Sequence, residues 1–310
     1  MNYMLKFKFL FKLFFSLIVL FVLFYFIGFY SVLSTLMQLN LVFLLLSLIF
    51  FFLLLLITAL SYFVIFNSLK KISFLRFFKY YLFSWTIGLI GFGKLGELSL
   101  LYFLKEIELG KSTAAFILSS IITILSLALL SLLGIYFFKI TNTLNIIILI
   151  FLGCIFFVLL FFSNKGRTIL KKFIPFKEKF KSFGLTLNEL IKNKKILIAS
   201  ISLTFLRWIA LAFFSLFLFY GFNVKPNFFE LIFINSIASL ISFVPVSFNG
   251  LGVREASFVS LAFYFGIPLN VSSSVMLVSL ALNYFFGFLI ALIFIKDLSK
   301  IKALKGGFIE

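Results

Sequence analysis

The sequence predicts an all-α polytopic membrane protein, with about six full transmembrane helices and two re-entrant helical hairpins arranged as inverted repeats. Three observations predict it. The 310 residues have a mean hydropathy of +1.25, are 64% hydrophobic and only 12% charged, whereas soluble chains carry about 25% charged residues. Basic residues cluster between apolar runs long enough to cross a bilayer, which takes about 20 residues. Two further apolar stretches are too short to cross comfortably, and each is interrupted by a glycine-rich turn that leads into a glutamate. Fifty-two phenylalanines are more apolar surface than one aqueous core would hide, so lipid must be the solvent.

Composition also narrows the chemistry. The absence of histidine removes imidazole catalysis and histidine metal sites, and the lone Cys154 lies in an apolar run. No cofactor and no metal are expected, and the sequence is read as a single domain over 1–310. The net charge of +19 would suit nucleic acid, but its placement at the ends of apolar runs assigns it to the cytoplasmic membrane face and to anionic headgroups instead.

Taken in order, the first span is expected at 9–28, preceded by Lys6, Lys8 and Lys12, which place the N-terminus inside. No small-residue cleavage site follows, so it is read as a retained helix. An uncharged connector at 29–38 lies outside, and a second span at 39–66 returns to Lys70, Lys71, Arg76 and Lys79. Tyr80 to Phe92 is apolar but short and ends in GFGKLGE at 91–97, before a second short run from Leu98 to Leu104. Three glycines so close together are poor for a continuous helix. A hairpin entering and leaving on the basic side satisfies the pattern.

Full spans follow at 113–138 and 145–162. The segment 163–195 holds ten basic residues against Glu178 and Glu189 and is assigned to the cytoplasm. It reads either as an amphipathic interfacial helix or as a solvated connector. A span at 196–220 leads outside, and 228–268 forms a second hairpin, opposite in sense, around SFNGLGVREAS at 247–257. The last span, 271–295, ends at Lys296, Lys300, Lys302 and Lys305, placing the C-terminus inside. Treating each hairpin as a pair of full spans, for eight or more in all, keeps the same sidedness.

Superposing Glu97 on Glu255 aligns the two glycine-rich tips and sets GKSTAA at 110–115 against LNVSSS at 269–274. Each copy then reads span, hairpin, span, over about 39–138 and about 196–295. Inverted repeats with broken helices are a recurring plan of membrane transporters, with the site where the repeats meet.

The ionisable residues at membrane depth are Lys94, Glu97, Arg207, Arg254 and Glu255, with Glu230 near the outer boundary. Each costs about 2.5–3.5 kcal/mol at the centre of a lone helix, so such residues face partners or a wet cavity. They are read as lining a shared polar cavity for a charged group; the alternative is a set of ion pairs that pin the hairpin tips. Gly93, Gly96, Gly250 and Gly252, with Asn249, would free backbone amides for a phosphate beside the Arg254 fork, or would simply allow close helix packing. Arg207 either snorkels inward or faces the cavity. Asn235 and Asn283 are buried amides that want partners.

PVSFNGLGVREAS at 245–257, followed by an apolar run and Gly-Ile-Pro at 266–268, resembles the C-terminal signature of the lysylphosphatidylglycerol synthase transmembrane region family of flippase-like membrane proteins. GKLGELSLLYFLKE at 93–106 resembles that family's first signature. The resemblance implies a multi-pass protein of the cytoplasmic membrane that handles lipid, its partners being phospholipid or polyprenyl-phosphate-linked lipid. It also implies translocation or binding of a lipid whose headgroup is anionic or zwitterionic. The transferase chemistry of two-part members is expected to be absent here. A membrane-embedded transferase using Glu97 or Glu255 as base, and a non-catalytic assembly factor, are the alternatives.

Overall fold

The computed structural model describes residues 18, 21–22, 25, 28–90, 94–139, 182–243 and 250–294. Among them it is all-helical, without strands: α1 (Phe29–Leu36), α2 (Leu41–Leu69), α3 (Phe74–Ile90), α4 (Lys94–Glu97), α5 (Ser99–Phe103), α6 (Leu109–Phe138), α7 (Phe183–Lys192), α8 (Lys194–Gly221), α9 (Phe228–Ile241), α10 (Val253–Tyr264) and α11 (Leu269–Ile293). Four helices, α2, α6, α8 and α11, are long and apolar enough to cross a membrane. They match the expected spans at 39–66, 113–138, 196–220 and 271–295 to within a few residues. The expected span at 145–162, Cys154 and most of 9–28 and 163–195 lie outside the described residues.

Two boundaries differ from expectation. The segment 29–38 was expected to be a plain connector, but Phe29–Leu36 is helical and packs on α11. Gly28, at φ 87°, breaks the chain just before it. Asn270 then donates to Thr35 Oγ1 at 3.0 Å and Ser274 to the Val32 carbonyl at 3.3 Å, which anchors the short helix. Likewise α3 begins at Phe74, within the expected basic loop. Its charges have partners there: Arg76 pairs with Glu106 and lies over the Tyr80 ring, and Lys79 lies over Phe294.

The most extensive helix pair is α2 with α8. The Asn40 N–H donates to the Gly221 carbonyl at 2.9 Å, and Ser200 donates to the Ser61 carbonyl at 3.3 Å. The start of α2 therefore meets the end of α8, and the two run antiparallel. Between these ends Phe50 stacks on Phe213 and Phe217, with centroids 5.0 and 5.2 Å apart. Such aromatic pairs contribute about 0.5–1.5 kcal/mol beyond area burial, a specific term where lipid supplies no hydrophobic drive between helices.

Helix α6 is the most enclosed of the four long helices. Its buried face carries Gly110, Ser112, Ala114, Ala115, Ser119, Ala128, Ser131 and Gly134, small residues that let neighbours approach closely. Ser112 and Ser119 fit this apolar setting by donating back to a helix carbonyl about one turn earlier, at 3.1 and 2.9 Å, whereas the buried Ser131 hydroxyl has no hydrogen-bond partner. Short helices α3 to α5 and α9 to α10 form two hairpins. Helix α3 packs on α11, and α9 packs on α6, so the first arm of each hairpin lies against the span that follows the other hairpin. Glycines make these crossings close: a Cβ on Gly134 would strike the Phe233 ring, and one on Gly287 would lie 2.8 Å from Leu89 Cδ1. The amphipathic α7 sits on α6, burying Leu187 and Leu190 in a cluster with Leu104 and Ile107.

Candidate functional site

The two hairpins and the long helices border an open-sided cavity of about 250 Å³. Its walls come from α2, α3, α6, α8 and α11, and both hairpin tips contribute a charge: Glu97 ends α4, and Arg254 lies in the first turn of α10. Arg207 of α8 adds a second cation. Of the residues singled out from sequence, these three and Asn283 are brought together.

Arg207 does not snorkel. It is 6% exposed, and its guanidinium carbon lies 4.2 Å from the centroid of the Trp208 ring. That is cation–π range, which is worth most when desolvated. One terminal nitrogen donates to Thr123 Oγ1 at 3.4 Å, and Nε is buried with no hydrogen-bond partner. Tyr62, Tyr81 and Glu97 are within its electrostatic reach. Trp208 in turn donates Nε1–H to Ser126 Oγ at 3.1 Å. Thr123 and Ser126, one turn apart on α6, therefore hold consecutive residues of α8.

Glu255 has a different place, which corrects its expected equivalence to Glu97. It is buried but does not line the cavity; its carboxylate accepts the Gly252 N–H at 2.6 Å and caps α10. The capped amide is thereby taken up within the chain, not left for a phosphate. Gly96 and Gly250 stand where the hairpin arms approach closely. A Cβ on Gly96 would lie 2.7 Å from the Gly88 Cα, and one on Gly250, at φ 77°, would lie 2.5 Å from Ser242 Cβ. In both hairpins the arms thus meet at residues eight apart. Superposing these pairs shifts the register by 154 positions, not the 158 that aligns the glutamates, and the difference is about one helical turn. In that register Glu97 follows its glycine directly, while Glu255 comes five residues after its own.

Gly93, Asn249 and the Lys94 side chain lie outside what is described. Asn235 is away from the cavity, donating to Ser215 Oγ at 3.0 Å and to the Leu231 carbonyl at 2.9 Å. Asn283 does line the cavity, and its amide donates to the Ser279 carbonyl at 2.7 Å. The residues that sequence reasoning missed are Tyr62, Tyr81, Trp85, Thr123 and Trp208. Tryptophan was the available signal: the chain has two, and both border this cavity.

A model of the lysylphosphatidylglycerol synthase transmembrane region matches residues 9–291. The chain belongs to that family. The match runs across both hairpins and all four long helices, as the two signatures at 93–106 and 245–257 led one to expect. No curated protein and no solved structure is a significant match to the chain. Family and helices together make this a multi-pass membrane protein of a lipid-handling family.

Proposed function

We propose that the chain binds a lipid or lipid-linked molecule by its charged headgroup in this cavity and moves it between leaflets, acyl tails staying in the bilayer. The observation that carries the reading is one cavity bordered by Glu97 from one hairpin, Arg254 from the other and Arg207 between them. Charged side chains in an apolar chain face partners or a polar space, so such a site suits a charged occupant better than an apolar one. Phospholipid or polyprenyl-phosphate-linked lipid meets the requirement, in a cell membrane with both termini inside.

Two inverted repeats, about 39–138 and 196–295, form the frame in this reading. Support comes from α2 and α8, the first spans of the two copies, running antiparallel, and from the reciprocal packing of α3 on α11 and α9 on α6. Helix α9 has 14 residues and α10 has 12. At about 1.5 Å per residue neither reaches across a hydrocarbon core of about 30 Å, which favours hairpins that turn back midway. Rocking one repeat against the other would open the cavity to each leaflet in turn.

Arg254→Ala tests the reading, because Arg254 sits at a tip and is not part of the tightly packed core. In vesicles with the variant inserted at wild-type level, a leaflet-accessibility assay should show headgroup translocation reduced at least tenfold. Unchanged translocation would remove the site.

A further inference from the structure

We infer that the acyl chains of the bound lipid pass between cavity and bilayer through one seam, between α2 and α11 beside the end of α3, and that the Phe286 ring is the group they displace. The inference rests on the headgroup reading above and adds the path of the tails, because a headgroup inside and chains in the bilayer must be joined across one wall. Packing points to that wall. Along part of the seam α3 fills the space between the two long helices. On one flank its Phe74 and Phe77 rings pack on Phe63 of α2, with centroids 5.2 and 5.5 Å apart. On the other flank Phe83 packs on Phe294, just past α11, at 5.7 Å, and Leu89 lies against Gly287. Helix α3 stops at Ile90. Beside that end one ring bridges the two helices: Phe286 of α11 lies 5.4 Å from Phe51 and 4.8 Å from Phe52 of α2.

The two rings that Phe286 touches belong to different surroundings. Phe51 lines the cavity and is 1% exposed, whereas Phe52, the next residue, is 48% exposed and does not line it. On α11 itself Asn283, about one turn before Phe286, borders the cavity, and the neighbouring Phe285 is 55% exposed. Phe286 therefore stands between the polar space and the outer apolar surface. The seam between α6 and α8 is fastened differently, since Thr123 accepts from Arg207 at 3.4 Å and Ser126 from Trp208 at 3.1 Å. Parting those helices would leave buried donors without partners, which is costly. Parting α2 from Phe286 asks only that a ring move between staggered rotamers. An acyl chain then replaces its contacts in kind, lipid tails being as apolar as the side chains they meet.

Both tryptophans border the cavity, so the rate at which their emission changes on mixing with lipid reports entry. The purified full chain in a neutral maltoside micelle is mixed with dioctanoyl phosphatidylglycerol and, in a second series, with dioctanoyl phosphatidylcholine. In a Cys154→Ser background, Phe52→Cys combined with Phe286→Cys is stapled across the seam by a bifunctional maleimide. Each single-cysteine chain, treated with the same reagent, is the control. Stapling should slow entry at least tenfold relative to both controls, and Phe286→Ala, which removes the ring, should speed it at least threefold over wild type. Entry into the stapled chain at the control rate, or no gain with Phe286→Ala, would send the tails through another wall and overturn the inference while headgroup binding stands. Absence of any emission change with either lipid in wild type and controls would sink the headgroup reading, and this inference with it.

Discussion

Gly96 and Gly88 meet across the first hairpin so closely that a Cβ on Gly96 would lie 2.7 Å from the Gly88 Cα and 2.7 Å from the Ile87 carbonyl oxygen. Backbone cannot rotate aside as a side chain can. Gly96→Ala should therefore destabilise by about 1–3 kcal/mol, the range for overpacking. Gly287→Ala meets the far end of the Leu89 side chain, at 2.8 Å, and should cost clearly less. Thermal unfolding of the two variants in detergent decides the point, and equal midpoints would contradict it.

The cap on α10 separates structure from chemistry at Glu255. Glu255→Ala leaves the Gly252 N–H without its acceptor and should cost about 0.5–2 kcal/mol, as other cap deletions do. Glu255→Gln keeps an oxygen that can accept the same N–H, so stability and translocation should stay near wild type. Loss of translocation in a stable Glu255→Gln variant would show that the carboxylate does more than cap.

Ser126 holds Trp208 through the indole N–H at 3.1 Å. Interhelical hydrogen bonds in membranes average about 0.6 kcal/mol and reach about 1.7. A double-mutant cycle of Ser126→Ala with Trp208→Phe, read by unfolding free energy, should give a coupling in that range. A coupling indistinguishable from zero would mean that the contact contributes nothing. Because Trp208 borders the cavity, Ser126→Ala should also shift its emission.

Much of the fold was legible because bilayer thickness leaves a one-dimensional trace. The runs that became α2, α6, α8 and α11 could be found by length alone, and the glycine-rich interruptions marked both hairpins. The ends were harder to place. Arg76 and Lys79 looked like loop residues, yet they are helical because Glu106, Tyr80 and Phe294 receive them. The same limit applies to 29–36, whose helix depends on bonds to Asn270 and Ser274, more than 230 residues away in the chain.

By itself the sequence determined that this chain lives in lipid, where its long helices fall, and that a few charges must gather in the interior. Those follow from the cost of exposing apolar surface to water and bare charge to hydrocarbon. Which charges gather was decided by tertiary packing alone. Glu97 reaches the cavity and Glu255 turns back onto its own helix because the glycine crossings set the two tips about a turn out of register. A shift of that size leaves composition and spacing rules untouched, yet it turns a side chain from the shared space to the backbone.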